Sequence, residues 1–298
     1  MHDDDPPARR RVLIVVNPGA GRSRTHRRWL DRIVHELDLL GCEAEVRIAG
    51  DDTGDVERLA RDAPLDFEVI VAAGGDGTIN ALINGCARDN RIVALLPLGT
   101  ANVLAREIGL PRAAERLAHL IAFGRARQIW PGRIGDRLFL VMASSGFDAA
   151  IVAAVNPGLK RRFGRGAFML AILTGLIRYR PTLLDVEIDG VTHCASTVVA
   201  TKARLYAGPF QIAPHAELGM PSLEIVLFKR AGRVAALHYL LALVCGTLPQ
   251  RHDVAISRAR GLRIAAATAL PLQADGEIVG RLPALIEVAE QPIWLLCP

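Results

Sequence analysis

From Val12 to Phe123 the chain alternates short β-branched runs with segments whose apolar residues recur at helical spacing. Val12 to Val16, Ala44 to Ile48, Phe67 to Ala72 and Ile92 to Leu96 read as strands. Ser23 to Leu40, Thr53 to Asp62, Thr78 to Cys86, Ala101 to Glu107 and Ala113 to Phe123 read as helices. Alternating strand and helix predicts a doubly wound parallel sheet covered on both faces, and such sheets bind ligands at the carboxyl ends of their strands. Beyond Gly124 strand-like runs follow one another: Arg127 to Trp130, Leu138 to Ala143, Leu183 to Ile188, Ser196 to Thr201, Ser222 to Leu227, Val254 to Ser257, Gly261 to Ala266 and Ile286 to Ala289. Two stretches there are apolar at helical spacing, Phe168 to Tyr179 and Val234 to Leu248, and are either core or lipid-facing, with core packing the reading the pattern favours. The expected division is an α/β domain over residues 1–125 and a β-rich domain over 126–298, the last segment being a candidate to return to the first.

The strongest local signal is Gly74-Gly75-Asp76-Gly77-Thr78, directly after a buried strand and directly before a helix. Glycines let backbone amides approach phosphate oxygens, and a helix N-terminus adds unsatisfied donors and a positive dipole. Asp76 in such a site would repel phosphate unless a cation intervenes, which suits a carboxylate holding Mg2+ or its waters. The alternative is a strand-to-helix turn with Asp76 as cap. Asn17-Pro18-Gly19-Ala20-Gly21 and Pro97-Leu98-Gly99-Thr100-Ala101-Asn102 repeat the strand-loop-helix placement, so three loops share one edge of the sheet. Near the other end, Asp275-Gly276-Glu277 places two carboxylates around a glycine, where a tight turn is the plain alternative.

In this order, Asn17-Pro18-x-x-Gly21, Gly74 to Thr78, Pro97-x-Gly99-Thr100-x-Asn102-x-Leu104-Ala105-Arg106 and Asp275-Gly276-Glu277, the chain resembles the diacylglycerol kinase catalytic family, over essentially its whole length. The resemblance implies a nucleotide cleft between an α/β domain and a β-sandwich domain, with ATP phosphates on the Gly74 to Thr78 loop. It implies Glu277 as general base toward a lipid hydroxyl, diacylglycerol by default, and Asp76 as anchor of the catalytic Mg2+. It also implies nucleotide contacts from Asn17, Pro18, Gly19, Gly21, Asn80, Thr100 and Asn102, while Arg106 faces either phosphate or a structural carboxylate.

Two positions depart from the family pattern. Relatives carry an Asp-Gly followed by Leu-Asp that helps bind a structural Mg2+, whereas this chain reads Met220-Pro221-Ser222-Leu223-Glu224. Met220 at the Asp position leaves only Leu218, through its carbonyl, and Glu224 as ligands. Val103 follows Asn102 where relatives have Asp. A catalytically silent lipid or nucleotide binder is therefore one alternative. NAD kinase, which shares a Gly-Gly-Asp-Gly-Thr loop, is another.

Composition narrows the setting. With 51% hydrophobic and 22% charged residues the chain is globular, and a net charge of +5 suits anionic nucleotides and membrane surfaces but is too small to argue for nucleic acid. Of its 36 lysines and arginines, only Lys160, Lys202 and Lys229 are lysines. The apolar run Val234 to Leu248 is shorter than the ~20 residues that cross a bilayer, and the polar N-terminus lacks a signal-peptide core. The expectation is a cytoplasmic enzyme with peripheral membrane contact through Lys160 to Arg165 and Arg178-Tyr179-Arg180. An exposed sheet edge in the second domain would permit a homodimer. The five scattered cysteines read as reduced and mostly buried.

Overall fold

The computed structural model describes residues 10–19, 24–50, 53–86, 89, 91–154 and 181–298. The chain divides into two compact units, one of Met1–Gly99, Ile108–Gln128 and Ile293–Pro298, the other of Thr100–Glu107 and Ile129–Pro292.

The first unit contains β1 (Arg11–Val16), α1 (Arg24–Leu39), β2 (Glu43–Ile48), α2 (Thr53–Arg61), β3 (Val69–Gly74), α3 (Asp76–Cys86) and β4 (Ile92–Pro97). After α4 (Val103–Glu107), which belongs to the second unit, come α5 (Ala114–Phe123) and β5 (Ala126–Ile129). The sheet order is β2-β1-β3-β4, then the C-terminal strand Ile293–Leu296, then β5. β1 runs parallel to both β2 and β3, and β4 runs parallel to β3 and to the C-terminal strand. β1 and β3 are continuous apolar runs because both of their faces are covered. Val12, Ile14, Val69 and Val71 join Ile33, Leu37, Leu117 and Ile121 of α1 and α5 in one core. The alternate residues Leu13, Val15, Ile70 and Ala72 are also buried and point to the opposite face, where α2 packs on α3 and β1. Truncating Ile14 or Ile70 to alanine would cost about 2–5 kcal/mol.

The second unit is a β-sandwich. Its elements are β6 (Gly132–Ile134), β7 (Arg137–Phe139), β8 (Met142–Ser145), α6 (Phe147–Ala154), β9 (Leu184–Ile188), β10 (Val191–Ala195), β11 (Thr197–Thr201), β12 (Leu205–Tyr206) and β13 (Phe210–Gln211). They continue with β14 (Leu223–Phe228), α7 (Arg233–Val244), β15 (Val254–Ala259), β16 (Gly261–Ala266), β17 (Pro271–Ala274), β18 (Glu277–Arg281) and β19 (Ala284–Val288). One sheet runs β10-β9-β16-β19-β6-β7 and the other β15-β14-β11-β8-β17-β18. Inward residues of both, among them Val186, Ile264 and Ile286 from the first and Val198, Ile225 and Leu272 from the second, form a single core.

Several expectations need correction. The run Leu138 to Ala143 is two strands, β7 and β8, and the strands β6, β10, β12, β13, β17, β18 and Ile293–Leu296 join those the pattern predicts. Only Cys42 and Cys86 are buried, whereas Cys194 and Cys245 are exposed, so the cysteines are not mostly buried, although all five are free thiols. The helix expected at Phe168 to Tyr179 and both basic clusters, Lys160 to Arg165 and Arg178 to Arg180, lie outside the described residues. Among the described residues no helix is long and apolar enough to cross a membrane. The stretch from Val234 is the helix α7, but its apolar residues occupy both faces. Ala236, Tyr239, Ala242 and Leu243 are buried, while Val234, Leu237, Leu241 and Val244 are 69%, 40%, 53% and 56% exposed.

Candidate functional site

The chain leaves β1 for β2 on one side and places β3 on the other, so the strand order reverses between β1 and β3. At such a switch point the two following loops part and leave a crevice at the carboxyl edge. Here they are tied to each other. The Asn17 amide donates to the Ala73 carbonyl at 3.0 Å, and Asn17 Nδ2 donates to Thr78 Oγ1 at 3.2 Å. Asn17 Oδ1 accepts the Gly19 amide at 2.9 Å and so closes the turn after β1. The loop after β4 is joined by the Leu98 amide, which donates to the Gly74 carbonyl at 2.9 Å.

Gly74 and Gly75 have backbone angles outside the left-handed region, so their lack of a side chain answers a need for closeness rather than for unusual φ. A Cβ on Gly74 would lie 2.2 Å from Thr78 Oγ1 and 2.5 Å from its Cβ. A Cβ on Gly75 would lie 3.3 Å from the Gly99 Cα. The Gly75 carbonyl accepts the amides of Thr78 and Ile79, which opens α3 with Asp76 in its first turn. The leading amides of a helix have no intrahelical acceptor and carry the positive end of its dipole, so this turn is suited to an anion. Thr78 is 3% exposed, and its hydroxyl fastens the loop to Asn17. Asn80 is also buried, and Asn84 Nδ2 donates to its carbonyl and side-chain oxygens.

The first unit therefore gathers Asn17, Pro18, Gly19, Gly74, Gly75, Asp76, Gly77, Thr78 and Asn80, while Gly21 lies outside the described residues. Thr100 and Asn102 belong to the second unit, where Thr100 is exposed and Asn102, at φ 46°, accepts the Arg106 amide to start α4. Arg106 Nε donates to the Ala101 carbonyl at 2.9 Å, so its guanidinium serves the local backbone there. Val103 is buried in the first turn of α4.

Asp275 and Gly276 have φ of 48° and 83° and form the two-residue turn between β17 and β18. Positive φ at both positions is the demand of a type I′ hairpin, which Asp-Gly satisfies. The carboxylate of Asp275 accepts the Leu140 amide at 2.7 Å and those of Val141 and Met142 at 2.9 Å, so this residue clamps the β7–β8 connection. Glu277 opens β18 with its side chain 39% exposed and Oε2 4.0 Å from Arg137 Nη2. Of the two carboxylates, Asp275 is committed to backbone, while Glu277 is partly exposed beside Arg137.

Sequence reasoning missed the polar chain behind this turn. Gln273 Oε1 accepts the Gly276 amide at 2.9 Å, and its Nε2 donates to Ser144 Oγ at 2.7 Å and to Asp148 Oδ2 at 2.9 Å. Ser144 and Tyr206 both donate to the Asp148 carboxylate. Burial, reinforced by the Asp148 charge, pushes the Tyr206 phenol well above its ordinary pKa, so it remains a donor. Gln273 and Ser144 are fully buried within strands, a polar pair in an apolar setting that was the available signal.

The structural Mg2+ expected around Leu218 and Glu224 does not fit the residues present. The Leu218 carbonyl accepts the Trp130 amide at 2.8 Å, and the Glu224 carboxylate, only 6% exposed, is held by Arg258 Nε at 2.8 Å. Arg258 Nη2 donates to the His215 carbonyl at 2.8 Å. The carbonyls of Glu217, Met220 and Ser222 instead accept bonds from the Lys202 ammonium. A cation of the protein's own already lies there.

Comparison with known proteins agrees with this architecture. Residues 11–134 match the family model described as diacylglycerol kinase catalytic domain, and residues 141–297 match the YegS C-terminal NAD kinase beta sandwich-like domain. A diacylglycerol kinase of Bacillus subtilis (strain 168) is 28% identical over 280 residues, 92% of each chain. One of Staphylococcus aureus (strain bovine RF122 / ET3-1) is 26% identical over 297 residues, 97% of this chain and 93% of that one. A crystal structure assigned to the diacylglycerol kinases of Bacillus anthracis str. Sterne superposes with a TM-score of 0.83 at 20% identity, covering 100% of this chain and 98% of the other. With a glycine loop at the switch point of its first unit and a sandwich for its second, the chain belongs to the diacylglycerol kinase catalytic-domain family and is a kinase.

Proposed function

We propose that this kinase transfers the γ-phosphoryl group of ATP to a lipid hydroxyl, with diacylglycerol as the preferred acceptor. The observation that carries the reading is the tie between the Asn17 and Gly74–Thr78 loops, which sets the first turn of α3 at the switch point of the sheet. The Gly74 to Thr78 loop binds the phosphates, and Asn17, Pro18, Gly19, Gly21, Asn80, Thr100 and Asn102 contribute to nucleotide binding. Asp76 stands in the first turn of α3, and no group of three or more His, Cys, Asp or Glu side chains suited to a metal occurs among the described residues. That donor set fits a Mg2+ held by Asp76, directly or through water, and completed by phosphate oxygens. The ion, when bound, neutralises charge on the phosphate oxygens.

Glu277 acts as general base and accepts the proton of the lipid hydroxyl as its oxygen attacks the γ-phosphorus, whose bond to the bridging oxygen breaks to release ADP. Asp275 and Gln273 hold the turn that carries it. Reaching a lipid requires contact with the bilayer surface. The exposed apolar face of α7 supports this role, with the exposed cations Lys229 and Arg230 just ahead of the helix to meet anionic headgroups. The enzyme would then be a cytoplasmic protein in peripheral contact with the membrane.

The test is transfer of labelled γ-phosphate from ATP to NAD and to a panel of diacylglycerol, a sphingoid base, phosphatidylglycerol and a polyprenol in mixed micelles. Label on diacylglycerol is the expected result. Label on NAD and on no lipid would replace the reading with a nucleotide-acceptor kinase, and no transfer to any acceptor would remove it.

A further inference from the structure

We propose that the ammonium of Lys202 is the built-in structural cation of the Glu217–Ser222 loop, making the fold of the second unit independent of any divalent metal at that place. Lys202 follows β11 and is 1% exposed. Its Nζ donates to the carbonyl oxygens of Glu217 at 3.3 Å, of Ser222 at 2.7 Å and of Met220. Three carbonyl acceptors match the three donors of an ammonium and leave none of them bare. They are also the type of oxygen that a hard divalent ion takes from a loop. The loop therefore has the dipoles of a cation site, and the chain supplies the charge itself.

Charge and side-chain chemistry support this assignment. A divalent ion added beside the Lys202 ammonium and the Arg258 guanidinium would meet two positive charges, and the nearby Glu224 carboxylate is already held by Arg258. Burial and the Arg258 charge push the Lys202 pKa down to about 8, which still leaves the ammonium protonated at neutral pH. Among 36 basic residues only three are lysines, so a lysine here stands out against the arginine preferred elsewhere in the chain. A compact ammonium can converge on three carbonyls from one point, which a planar guanidinium cannot. The inference does not depend on which acceptor the kinase uses.

The experiment is thermal unfolding of the nucleotide-free full chain in the Asp76→Ala background, which removes the proposed catalytic metal ligand, with excess EDTA or with millimolar Mg2+. The expected melting temperature is the same in both. Adding Lys202→Met or Lys202→Arg should lower it by roughly 5–10 °C, because the three carbonyls lose their donor or receive one of the wrong shape. A melting temperature that rises with Mg2+ before Lys202 is changed would overturn the proposal, as would Lys202→Met and Lys202→Arg chains that melt with their parent. Should those variants fail to fold, acylation of the unaltered native protein, read by mass spectrometry, decides instead. Modification of exposed Lys229 with Lys202 spared supports the assignment, and equal modification of both refutes it.

Discussion

Asn17 and Thr78, 61 residues apart in the chain, are joined by a 3.2 Å hydrogen bond from the Asn17 side-chain amide to the Thr78 hydroxyl. The bond links the segments that follow the two strands between which the sheet order reverses, and Thr78 packs so closely over Gly74 that no side chain fits there. Gly74→Ala is expected to cost roughly 1–3 kcal/mol through overpacking. Because the clash is with one side chain, Thr78→Gly in the same molecule should recover part of the loss. A double-mutant cycle by denaturant unfolding measures this coupling, and strictly additive effects would contradict the packing account.

Gln273 is expected to act as a positioning residue for the acidic turn. Gln273→Leu removes the acceptor of the Gly276 amide and the donor to Ser144 and Asp148. Displacing the hairpin that carries Glu277 should lower kcat by about 10–100-fold while leaving KM for ATP near its original value. Steady-state kinetics separates this from general destabilisation, in which kcat loss would follow the fraction unfolded.

The exposed stripe of α7 gives a prediction for membrane contact. Leu241→Asp exchanges a half-exposed apolar residue for a charge, so melting temperature should hardly move. Partition onto anionic vesicles should fall by ~10-fold or more, since loss of a leucine from an apolar interface forfeits about 1.5–3 kcal/mol. Vesicle sedimentation of both proteins reads the difference, and unchanged binding would remove α7 from the membrane-facing surface.

Much of the fold was legible because its signals are local. Val12 to Val16 and, within Phe67 to Ala72, the residues from Val69 onward are unbroken apolar runs, the mark of strands covered on both faces, and the glycine loops follow them directly. β17 and β18 carry no clear strand signal because buried Gln273 interrupts the apolar alternation, and Glu277, Gly280 and Arg281 make β18 read as loop. Strand Ile293–Leu296 is short, and its place beside β4 is decided by pairing across most of the chain. The polar chain through Ser144, Asp148, Tyr206 and Gln273 joins four separate segments, as Lys202 joins three carbonyls of a later loop. No local pattern encodes such meetings. Met220 is legible as a departure, but the Lys202 ammonium among the nearby carbonyls is visible only in three dimensions.

In the proposed reaction Asp76 anchors the metal and Glu277 accepts the proton of the lipid hydroxyl. Single-turnover transfer of labelled phosphate from ATP to diacylglycerol, compared among the unaltered chain, Asp76→Ala and Glu277→Gln, tests it most directly. Glu277→Gln is expected to bind ATP with unchanged affinity yet transfer phosphate about 10²–10⁴-fold more slowly, and Asp76→Ala to lose transfer together with its response to Mg2+. Transfer by Glu277→Gln at the rate of the unaltered chain would contradict the assignment of the base and, with it, the proposed mechanism.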